Sequence, residues 1–191
     1  MTENGTTSFV NFIKFITGII IVVFVSSCNS YKTDISDLPF DPSDNPWSEI
    51  RRERIQKLLP AAMQRAEVDA WVLICRENDN DPLASHVGCE NAGGTAAFMF
   101  FLEGDRVNSL VFSPEGEAKS LSDVGLHDRV ISFKRGGNVW KLVADELRTR
   151  NPSVVAINSS ERNIADGLSY SQRIKLEEAL GDDMTEWLVS S

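Results

Sequence analysis

The chain has 191 residues, 42% of them hydrophobic and 25% charged, with 12 Gly, 7 Pro and 3 Cys. That composition excludes collagen-like, low-complexity and disulfide-scaffold proteins. With 19 basic residues against 28 acidic ones the net charge is -9, and a chain with no basic excess is a poor holder of nucleic-acid phosphates. No nucleic-acid partner is expected.

The first element is an address. Phe15 to Val25 is an apolar run of eleven residues after Lys14, closed by Ser26, Ser27 and Cys28. A bilayer-spanning helix needs roughly 20 apolar residues, so the run reads as a secretory signal over residues 1–27. An uncleaved signal anchor is the alternative. Val25-Ser26-Ser27-Cys28 resembles a bacterial lipobox, which implies lipidation at Cys28 and a membrane-anchored domain on the non-cytoplasmic side. Residues 28–45 carry Pro39 and Pro42 without a sustained apolar period and form the expected linker.

The body starts at Asn45-Pro46, a helix start. Ile55, Leu58, Leu59, Ala62, Met63 and Ala66 follow helical spacing. Pro60, inside that face, is expected to kink the helix because it removes a backbone donor. Ala70–Cys75 is a continuous apolar run too short for a helix, hence a strand buried on both faces. Ala96–Leu102 and Val107–Phe112, joined at Glu103-Gly104-Asp105, read as an antiparallel hairpin. Pro114–Leu121 is a short helix and Arg129–Phe133 a strand. Asn138 opens a helix that Asn151-Pro152 stops, and Ser153–Asn158 is another strand. Ser169 and Gln172 form a capping box for a helix closed by Gly181. The expected fold class is α/β, a mixed β-sheet of five to six strands covered by helices.

Candidate chemistry is sparse. Glu77 to Asp81 is the densest acidic and amide cluster and follows a buried strand, a position that often lines crevices. Asn78, Asp79 and Asp81, with His86 in the same loop, are therefore candidate substrate or interface contacts. The run lacks the spacing of a calcium loop. Ser85-His86 and His127-Asp128 invite comparison with catalytic dyads, but no G-x-S-x-G elbow exposes a serine, and His127-Asp128 reads as a polar turn. Gly88–Gly94 and Arg135–Asn138 carry glycines for turns without a phosphate-binding signature. Cys75 reads best as a buried, inert thiol, although an oxidising compartment permits pairing with Cys89. Trp71 and Trp140 fall in core patterns. Trp187, near the end of the sequence, is a candidate interface residue.

The order of elements and the phrases Ile50–Met63, Val68–Glu77, Asn91–Ala96 and Asp166–Gly181 resemble the N-terminal domain of the creatinase, prolidase and Xaa-Pro aminopeptidase family. The resemblance implies a creatinase-N-terminal-like domain over residues 46–182, with residues 183–191 starting a linker to a catalytic domain of pita-bread fold. In that family the second domain holds a pair of divalent metal ions (Mn, Co or Zn), which activates water for cleavage before proline. No metal ligand or catalytic residue carries over onto this sequence. The implied role is non-catalytic: a part in homodimerisation and in substrate access within a lipid-anchored peptidase. A free-standing, membrane-tethered module that binds a peptide or protein partner is the alternative.

Overall fold

The computed structural model describes residues 46–76, 81–89, 94–159 and 166–190, all within the second of the chain's two units, residues 45–191. The signal, Cys28, the linker, Asn78 and Asp79 lie outside the described residues.

Helix α1 spans Trp47–Glu53 and continues through a π-helical stretch, Arg54–Leu58, into α2, Leu59–Ala66. Pro60 sits in the first turn of α2. There its missing N–H is tolerated, and the widened turn ahead of it absorbs the conflict that the ring would cause in a continuous α-helix. The expected kink is thus met by a change of helix type at the residues just before the proline. Glu67 ends α2 in the left-handed conformation.

Strand β1 (Ala70–Cys75) is buried at every position. It pairs antiparallel with β2 (Ala96–Glu103), which pairs antiparallel with β3 (Arg106–Pro114) around the Gly104 turn. The short helix α3 (Ala84–Val87) lies in the β1–β2 connection. Helix α4 (Glu115–Val124) then carries the chain to β4 (Arg129–Phe133), parallel to β3. Helix α5 (Val139–Arg150) starts at Asn138, whose side chain accepts from Lys141 N at 3.1 Å. It leads to β5 (Val155–Ile157), parallel to β1. Helix α6 (Tyr170–Leu180) has the expected reciprocal box of Ser169 and Gln172. After the single turn α7 (Asp182–Thr185) comes β6 (Leu188–Ser190), parallel to β5.

The sheet order is β4-β3-β2-β1-β5-β6, with β2 running against the rest. This is the mixed, helix-covered sheet expected from the sequence. Residues 188–190 lie in the stretch expected to begin a linker, and the structure places them in the sheet as its edge strand.

Alternation along the strands sorts the core into two layers. Ala70, Val72, Ile74, Met99, Phe101 and Leu110 face Val143 and Leu147 of α5 and Leu176 and Leu180 of α6. Trp71, Leu73, Cys75, Phe98, Phe100 and Val111 face Ile55 and Met63 of the first helical segment and Ala84 and Val87 of α3. Because both faces are covered, the central strands are apolar throughout instead of alternating.

Candidate functional site

In an open α/β sheet the default ligand crevice lies at the carboxyl ends of two adjacent parallel strands whose connections leave in opposite directions. Here that place is between β1 and β5, since β1 continues to β2 on one side and β5 to β6 on the other. Asp81 and the segment after β5 meet there.

The meeting point is closed by the chain's own side chains. Asp81 is 3% exposed. One carboxylate oxygen accepts from Leu83 N at 2.7 Å, and the other accepts from Asn158 Nδ2 at 2.5 Å. Asn158 Oδ1 in turn accepts from Trp71 Nε1 at 2.7 Å. The Asn158 carbonyl takes the amides of Gly167 and Leu168 at 3.0 and 2.9 Å. A side chain on residue 167 would occupy the space of the Asp81 carboxylate, so glycine is required there by close approach. Burial pushes the Asp81 carboxyl above the ordinary carboxylate range, opposed by its hydrogen bonds to Leu83 and Asn158. Asp81 is therefore a buried clasp between its own segment and the one after β5.

His86 lies on α3 with its Nδ1 2.6 Å from Arg54 Nη1. A guanidinium can only donate, so Nδ1 accepts and the ring proton is on Nε2. His86 thus faces the first helical segment while Asp81 faces Asn158, and the two do not converge on one ligand. A groove of about 280 Å³ runs beside His86, lined mainly by Leu58, Leu59, Ala62, Leu83 and Val87.

His127 and Asp128 form the expected turn, with Asp128 exposed. The His127 ring, however, packs inward, edge-on to Phe98 at 5.1 Å, with Phe100 at 6.0 Å. Neither ring nitrogen makes a hydrogen bond of good geometry. Desolvation holds its pKa down to about 4, against smaller upward pulls from the Val87 backbone and Asp128. The Asp128 carboxylate is occupied by Ser109, accepting from its amide at 2.7 Å and its hydroxyl at 2.9 Å. No catalytic dyad results.

Cys75 is likewise corrected. It is bonded to Cys89, with Cα atoms 6.3 Å apart and both residues fully buried. The bridge ties the end of β1 to Cys89, two residues after α3. Trp187 packs half-buried against the α5–α6 layer, and its carbonyl accepts from Val155 N at 2.7 Å. Much of its cover thus comes from its own domain.

Among the described residues no three His, Cys, Asp or Glu side chains come together to hold a metal ion. The described residues do not fit the metal pair that the resemblance implies for a second domain. Sequence reasoning missed Asn158 and Gly167. Asn158 is an ordinary strand-end amide until the register places it opposite the acidic loop.

A six-stranded mixed sheet between two helical layers defines the class: an α/β/α domain whose switch point is clasped shut. Among solved structures that fold is found in Xaa-Pro peptidases. Xaa-Pro dipeptidase from Bacillus anthracis aligns with a TM-score of 0.51 at 13% identity, over 75% of this chain and 33% of that one. An Xaa-Pro aminopeptidase structure from Streptococcus pyogenes aligns with a TM-score of 0.50 at 12% identity, over 76% of this chain and 92% of that one. The N-terminal domain of Xaa-Pro dipeptidase from Lactobacillus brevis aligns at 16% identity over 65% and 86% of the two chains, with a TM-score of 0.48. This chain thus spans about a third of the Bacillus enzyme. No family model matches the sequence, and neither does any curated protein.

Proposed function

We propose that this chain is the non-catalytic N-terminal domain of a lipid-anchored, Xaa-Pro aminopeptidase-like metallopeptidase. Its role is to help form the dimer and to narrow access to a catalytic centre carried by a second domain. The observation that carries this reading is the six-stranded mixed sheet, whose chain aligns over 33% of an Xaa-Pro dipeptidase from Bacillus anthracis at a TM-score of 0.51. The order of sequence phrases points the same way. The divalent metal pair belongs, on this reading, to the second domain.

Lipid anchoring at Cys28 and residence on the non-cytoplasmic side of a membrane are the second part of the proposal. The Val25-Ser26-Ser27-Cys28 run supports it. So does the Cys75–Cys89 bridge, since disulfides persist in oxidising compartments.

The test is direct. The full chain, purified and incubated with manganese, cobalt or zinc and Xaa-Pro peptides, releases no N-terminal residue. Metal-dependent turnover traceable to this polypeptide would overturn the non-catalytic reading. Expressed in a bacterial host, the chain incorporates labelled fatty acid and Cys28→Ser does not. Equal labelling of both removes the anchor.

A further inference from the structure

We draw no further inference here: the strongest candidate, the apolar groove of about 280 Å³ between the first helical segment and α3, lined in part by Leu58, Leu59, Leu83 and Val87, carries none because nothing in the structure shows what covers it.

Discussion

Asn158 is the residue on which the closed crevice depends. Its amide satisfies Trp71 on one side and Asp81 on the other, and all three are buried. Truncation to alanine leaves an indole N–H and a carboxylate oxygen without their partner, each costing about 1–3 kcal/mol when buried. Asn158→Ala is accordingly expected to lose roughly 3 kcal/mol in urea unfolding, with a red-shifted Trp71 emission as the loops part. A loss below about 0.5 kcal/mol, the ordinary range for a neutral surface change, would contradict the clasp.

His127 gives the fold an acid sensitivity of known sign. The folded state keeps the imidazole neutral down to about pH 4, whereas an unperturbed histidine takes up its proton near 6.5. Between those values the unfolded chain binds more protons, so stability present above pH 6.5 falls as the pH drops toward 4, by up to roughly 3 kcal/mol. His127→Phe keeps an aromatic ring beside Phe98 and cannot titrate. Denaturant midpoints at pH 5 and 7.5 should therefore differ less in the variant than in the parent; an unchanged difference would remove His127 as the cause.

Among the elements, the β1–α3 connection is secured twice. The Cys75–Cys89 bridge, with a sequence separation of 14, closes a loop, and constraining one of about that length in the unfolded chain stabilises by roughly 3 kcal/mol. The Asp81 clasp holds the same connection against β5. Replacing both cysteines by alanine should cost about that amount, with protease sensitivity between Arg76 and Cys89. A stable, protease-resistant double variant would show that the clasp alone suffices.

Elements whose signal is local were legible in the sequence. β1 and β2 announce themselves as unbroken apolar runs, the hairpin by Glu103-Gly104-Asp105, and α5 and α6 by their caps. The π-helical stretch was legible only as the conflict at Pro60, because the sequence does not say whether a helix kinks or widens. β6 was read as linker because three residues carry almost no periodic signal, and their pairing with β5 depends on register. The site failed for the same reason. Asp81 looks solvated in a run of acidic residues, and its burial is decided by Asn158 and Gly167, more than 70 residues away.

At the scale of the whole domain, the described polar groups of the sheet end are engaged with one another. Its switch point is filled, its histidines face Arg54 and Phe98, and Asp81 is buried. The role proposed for it, beside a metal-bearing second domain, is one of placement. The proposed role is tested most directly by what the transcript encodes after Ser191. Sequencing it should reveal an in-frame continuation that encodes the second, metal-bearing domain proposed above. A stop codon immediately after Ser191 would contradict it.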